Sequence, residues 1–180
     1  MNDGLIPNRY AKALYKFAEQ LGQQTEVYGQ MKSLEAAFAS SRELKQVVNN
    51  PFVPVGKKQS LLLAAAGAQP GGPLDKFILL VDRNNRVEFL RAMAVSYIKL
   101  YRTVNGIAQV KVETAAKLPD TEIQKIVALV EKQLNGQTLE LSSSVNPDLI
   151  GGFRITVDTL ELDASVKNEI EKLRLKLQSI

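Results

Sequence analysis

The spacing of apolar residues along this chain changes once, near residue 105. Before that point they recur every three to four positions, as on one face of a helix. Tyr10, Ala13, Leu14, Phe17, Ala18 and Leu21 form a first stripe, opened by Pro7 and stopped by Gly22. A second helix is predicted over residues 25–38, with Val27, Met31, Leu34 and Phe38 on its face. Ser40-Ser41 offers a cap for a short third helix carrying Leu44, Val47 and Val48. Asn49-Asn50-Pro51 ends it, because the residue before proline avoids the helical region. Pro54 opens a fourth, with Lys57 and Lys58 early and an apolar stretch at 61–66. The Gly- and Pro-rich segment 67–73 is a clear break. The fifth helix carries the run Phe77-Ile78-Leu79-Leu80-Val81, which wraps more than a full turn and so cannot be one-sided. Asn84-Asn85 predicts a tight turn, since asparagine tolerates positive φ. A sixth helix over 87–104 presents Phe89, Leu90, Met93, Tyr97, Leu100 and Tyr101. Six helices at these spacings predict an α-helical bundle over residues 1–105.

Beyond the turn dipeptide Asn105-Gly106 the period becomes two. Ala108, Val110 and Val112 alternate with Gln109, Lys111 and Glu113, which predicts a half-buried strand. Pro119 opens a predicted helix with Asp120 and Glu122 in its first turn, a stripe of Ile123, Ile126, Val127, Val130 and Leu134, and Gly136 at its end. Leu139, Leu141 and Val145 predict a second strand. Asn146-Pro147-Asp148 is turn chemistry, and Gly151-Gly152 suits a bulge or a close backbone approach. Phe153, Ile155 and Val157 then alternate with Arg154, Thr156 and Asp158 as a third strand. Asp163 and Ser165 are candidate caps for a last helix with Val166, Ile170, Leu173 and Leu177 on one face. The order β-α-β-β-α over 106–180 is a small α+β unit following an all-α one. At about 75 residues it has little core of its own, so its stability should lean on a partner.

Composition narrows the chemistry. The 180 residues contain no Cys and no His, which removes disulfides, thiol nucleophiles, zinc sites built on those ligands and any imidazole base. An enzyme would have to work with carboxylates, Lys, Tyr and hydroxyls. Phosphate-binding and nucleophile-elbow motifs are absent. Gly56-Lys57 is only a fragment of the first, with Lys58 where a hydroxyl is needed. The acidic pairs Asp82 with Glu88 and Asp158 with Asp163 have no motif around them. No apolar run approaches the ~20 residues of a membrane-spanning helix. The start, Met1 to Lys12, lacks the basic and apolar regions of a secretory signal.

The net charge of +4 is unevenly spread. Residues 1–105 are basic by six and residues 106–180 acidic by two. The basic half suits an acidic partner, a membrane surface or nucleic acid, and equally a solvated helix surface. No Lys/Arg run exceeds two residues, which argues against nucleic acid. The remaining material is apolar helix surface, of the kind used for helix-in-groove binding or simply for a bundle core.

Three stretches, taken together, carry a resemblance. Pro147 to Val157 reads P-x-L-I-G-G-F-x-I-x-V and is followed by D-x-S-V-x-x-x-I-x-x-L from Asp163 to Leu173. Asn8 to Tyr15 reads N-R-Y-A-K-A-L-Y, and Leu79 to Val87 reads L-L-V-D-R-N-N-R-V. These are similar to the end, the opening and the middle of the ATP synthase delta subunit family, the bacterial and plastid relatives of the mitochondrial oligomycin-sensitivity-conferring protein. Asn85 and Val87 stand where that family usually has Gly and Leu.

The resemblance implies a stator subunit with no catalytic, cofactor or metal site of its own, present once per complex. It implies a bundle whose groove takes N-terminal helices of the alpha subunits, with walls at Tyr10, Ala13, Leu14, Phe17, Phe77, Leu80 and Val81. The smaller unit would hold the b-type stalk through Ile150, Gly151, Gly152, Phe153, Val166, Ile170 and Leu173. The expected location is peripheral, on the cytoplasmic face of a bacterial inner membrane, with no membrane insertion and no nucleic acid. A basic nucleic-acid-binding bundle and a carboxylate- or Lys-based enzyme are the competing readings.

Overall fold

The computed structural model describes residues 4–117, 138–157 and 160–178. The predicted helix between Pro119 and Gly136 and the residue Asp158 lie outside the described residues. The chain divides into two compact units, Met1–Val104 and Asn105–Ile180.

The first unit is helical: α1 (Leu5–Gln20), α2 (Gln24–Ser40), α3 (Arg42–Asn49), α4 (Val55–Ala66), α5 (Pro73–Arg83) and α6 (Leu90–Asn105), with a short 3-10 turn (Val87–Phe89) before α6. The breaks are built by the punctuation read from sequence. Ser41 Oγ accepts the Leu44 amide at 3.1 Å and caps α3. Gly67 ends α4 at φ +65°, and Pro73 opens α5. Asn85 takes the left-handed turn at φ +52°. Asp75, in the first turn of α5, accepts the Gly71 amide at 2.7 Å and also the Gln59 side chain, which ties the α4–α5 connection to α5.

The core of the bundle holds Val27, Met31 and Leu34 of α2, Leu62 of α4, Leu74 and Val81 of α5, and Leu90, Met93 and Tyr97 of α6, all at most 1% exposed. Tyrosines pack its interior. Tyr15 contacts the rings of Tyr97 and Tyr101, and Tyr28 stacks on Tyr101 at 4.2 Å. The Tyr101 and Thr25 hydroxyls are 3.0 Å apart, and the Tyr97 hydroxyl donates to the Gln24 carbonyl. Burial raises the Tyr97 phenol well above its usual range, with its tyrosine neighbours adding to the effect.

This cluster corrects the face assigned to α1. The buried set is Pro7, Ala11, Leu14, Tyr15 and Ala18, whereas Ala13 and Leu21 are exposed. The reason is Tyr15: its ring is drawn into the aromatic cluster, which rotates the helix and leaves Tyr10, Ala13 and Phe17 along its flank.

The second unit is a four-stranded sheet of β1 (Ile107–Thr114), β2 (Thr138–Val145), β3 (Gly152–Val157) and β4 (Leu160–Ser165), followed by α7 (Val166–Gln178). The strand order is β2-β1-β3-β4. β1 pairs parallel with β2 and antiparallel with β3, and β3 pairs antiparallel with β4. β4 is an addition to the three strands predicted. Leu160-Glu161-Leu162-Asp163 does alternate, but Asp163 and Ser165 read as caps of the next helix. Ser165 is indeed the cap, accepting the Asn168 amide at 3.2 Å. Asp163 instead faces β3.

The register sorts the sheet into two faces. Ala108, Val110 and Val112 align with Leu139 and Leu141, with Phe153, Ile155 and Val157, and with Leu160 and Leu162. Val110, Val112 and Ile155 are buried there, with Leu139, Phe153 and Val157 packed against them. The opposite face is charged. Arg154 sits directly across from Glu113 on one side and Asp163 on the other. Its guanidinium lies 2.7 Å from Asp163, 3.2 Å from Glu161 and 3.8 Å from Glu113.

Candidate partner-binding surfaces

Two surfaces expose apolar residues in an ordered pattern. The first is the flank of α1 against α5. Tyr10 meets Phe77 edge-on at 6.2 Å. The Tyr10 hydroxyl accepts from Asn84 at 2.9 Å and from Arg86 at 3.2 Å, and the Arg86 guanidinium lies 5.5 Å from its ring centre. One end of the flank is therefore fixed by the turn at Asn84-Asn85. At the other end the Lys76 ammonium lies 5.7 Å from the Phe17 ring centre.

The seven residues expected as groove walls occupy two depths. Leu14, Phe77 and Val81 are at most 5% exposed and form a floor shared with the core. Tyr10 and Phe17 are half-buried, while Ala13 and Leu80 are exposed. Ala13 lies one turn from each aromatic ring and leaves a gap between them. The FILLV run divides in the same way: Phe77, Ile78 and Val81 face inward, and Leu79 and Leu80 are 42% and 48% exposed.

The second surface belongs to α7 and the turn before β3. Val166, Ile170, Leu173 and Leu177 are 39%, 51%, 59% and 75% exposed, and no described residue of α7 is buried. Gly151 and Gly152 let this helix start against the turn. A Cβ on Gly151 would meet Val166 Cγ2 at 2.8 Å, and one on Gly152 would lie 2.2 Å from the Ala164 carbonyl oxygen. Gly152 also has φ +74°. The Val166 amide donates to the Gly151 carbonyl at 3.0 Å. Phe153 is half-buried at the edge of the sheet core, and Ile150 is 65% exposed.

Sequence reasoning missed a cavity of about 500 Å³ in the bundle, lined by Pro7, Phe38, Lys45, Val87, Arg91 and Val95 among others. It draws on α1, α2, α3 and α6, residues far apart in sequence with no shared motif. None of its lining residues belongs to α5, so it is separate from the α1–α5 flank. It is an open depression lined by exposed side chains such as Lys45, Arg91 and Val95, so it is a second surface of the bundle on which a partner could lie.

Two units, each offering apolar surface along helices, define an adaptor that joins other polypeptides. Known proteins agree. The family model for the ATP synthase delta (OSCP) subunit matches residues 6–177. A relative from Phocaeicola vulgatus, ATP synthase subunit delta, is 36% identical over 172 residues, covering 95% of this chain and 92% of that one. The protein of the same name from Parabacteroides distasonis is 36% identical over 177 residues, covering 98% of each. Among solved structures, a chain of the Toxoplasma gondii mitochondrial ATP synthase hexamer has the same fold, with TM-score 0.73 at 23% identity, covering 96% of this chain and 97% of that one.

The chain belongs to the ATP synthase delta (OSCP) subunit family. Its function is that of a peripheral-stalk subunit of the rotary ATP synthase. No described helix is long and apolar enough to cross a membrane.

Proposed function

We propose that this chain clamps the catalytic head of the synthase to the stator stalk and has no active site of its own. Its bundle takes an N-terminal helix of an alpha subunit along the α1–α5 trough, where Tyr10 and Phe17 flank the gap at Ala13 and Leu80 forms the facing wall. Its C-terminal unit takes the b-type stalk on α7 and the adjoining turn. One copy serves each complex, peripheral to the cytoplasmic face of a bacterial inner membrane. Rotor torque would spin an untethered head, so the work required is stiff, tight binding.

The observation that carries this reading is α7. Its sequence has the apolar stripe of a packed helix, yet Val166, Ile170, Leu173 and Leu177 stay 39–75% exposed. An amphipathic helix left open in this way is material for an interface. The α1–α5 flank supports the same reading in the bundle, because a small residue between two aromatic rings leaves room for a partner's side chains.

Calorimetry of the full-length chain with a peptide copying the alpha-subunit N-terminal helix tests the trough. Ala13→Trp should lower that affinity at least tenfold, or about 1.4 kcal/mol, with the circular dichroism spectrum unchanged. Ala92→Trp, in the 500 Å³ cavity, should leave it unchanged. The reverse pattern would move the helix site to the cavity.

A further inference from the structure

The connection between β2 and β3 holds a backbone anomaly. Ile150 has φ +65° and ψ −43°, a region that β-branched residues avoid. The Gly151 amide donates to the Leu149 carbonyl at 2.7 Å, so residues 149–151 form a γ-turn of the rare, strained hand with Ile150 at its apex. The only other described non-glycine residue with positive φ is Asn85, a type that tolerates it.

The surroundings hold this turn from both sides. Leu149 is 1% exposed. Asn146 Oδ1 accepts the Asp148 amide at 3.1 Å, and the Asn146 amide donates to the Thr114 carbonyl at 2.8 Å. After the apex, the Gly151 carbonyl is bound by the Val166 amide, and Gly152 lies against Ala164 too closely for any side chain. The Ile150 side chain receives little in return, since it is 65% exposed. A strained apex favours glycine, and an exposed one favours a polar residue; isoleucine satisfies neither. Such conflicts between local preference and structure mark functional positions.

We propose that Ile150 is the anchor by which the C-terminal unit grips the stalk. The strained turn fixes the backbone from which the exposed Ile150 side chain projects, one residue before Gly151, whose carbonyl binds the Val166 amide at the start of the stripe that continues through Ile170 and Leu173. The occupant is the apolar face of one amphipathic stalk helix with acidic residues along one border. Helical spacing places Lys167 and Arg174 together on one border of the α7 stripe. That basic border sets the complementary charge of the partner. A backbone already held in place loses little freedom on binding. This inference rests on the assignment of the stalk to the C-terminal unit.

The test uses the full-length chain and the soluble segment of the b-type subunit encoded in the same genome. Ile150→Gly should raise the melting temperature by about 3 °C, because strain is relieved. It should also weaken stalk binding by about tenfold or more, while the affinity for the alpha-subunit peptide stays the same. Ile150→Val, with the same branching, should bind the stalk within about threefold of the parent. A lower melting temperature for Ile150→Gly would make Ile150 a structural residue and overturn the proposal. Unchanged stalk binding by Ile150→Gly, with binding lost in Leu173→Asp, would overturn the anchor and leave the stalk assignment standing. Unchanged binding by both variants would remove the stalk assignment and the anchor with it.

Discussion

α2 and α7 are both amphipathic in sequence, and they end in opposite states. The stripe of α2 disappears into the bundle, with Val27, Met31 and Leu34 at 0% exposure. The stripe of α7 stays open, with Leu173 at 59%. The bundle surrounds α2 with other helices, whereas α7, the last described element of the sheet domain, has no buried residue among those described. The first unit buries its stripe internally, and the second leaves one open. With the stalk on α7, as proposed, binding and stability are coupled in the second unit.

Substitutions can break this contrast in order of expected size. Tyr97→Ala removes a fully buried ring from the tyrosine cluster and should destabilise the bundle by about 3–5 kcal/mol. Thermal denaturation should show the loss in the bundle's transition and spare the C-terminal unit. Gly152→Ala places a methyl group against the Ala164 carbonyl at positive φ, and should destabilise the C-terminal unit by about 2–3 kcal/mol. Urea denaturation of the full chain checks that figure.

A smaller effect should come from Asp163. Hydrogen bonds from the Ser165 hydroxyl and amide, and then from Arg154, hold its carboxyl at about 2. A depressed carboxyl contributes stability that is complete above its unfolded value, near pH 4, and lost as pH falls towards 2. Asp163→Asn should therefore be less stable than the parent at pH 7 and indistinguishable from it near pH 2, as read by melting curves across that range. The least effect on folding is expected of Leu173→Asp, within about 0.5 kcal/mol of the parent. The same substitution should abolish stalk binding. That pairing, binding lost with folding kept, distinguishes an open surface from a core.

The helix stripes of α2, α3 and α6 were legible because one face of each is buried and the other solvated, so the period survives in the sequence. α1 was legible as a helix but not in its orientation. Its apolar set is broad, and Tyr15 could be read as core or as surface until the rings of Tyr97 and Tyr101 are seen around it. β4 was hidden by its last residues, since Asp163 and Ser165 satisfy the rules for a helix cap, and only the cross-strand position of Arg154 reveals what Asp163 does. The glycine pair was legible as a close approach, and the carbonyl of Ala164 is what it approaches. The groove between the first helix and the FILLV helix, with Tyr10 and Phe17 about Ala13, was suggested by apolar spacing, while its full wall and the stalk surface came from the resemblance to a family. The strain at Ile150 had no signal in sequence, because it arises from the frame around the residue.

The packing of Tyr15, Tyr28, Tyr97 and Tyr101 has a practical corollary. These four and Tyr10 are all the tyrosines in the chain, which has no tryptophan. Near-ultraviolet absorbance and emission therefore watch the helical half alone, and the sheet half is almost dark. Far-ultraviolet dichroism sees both halves. Where the two optical traces part company during heating, the gap between them times the loss of one half against the other, with no label attached.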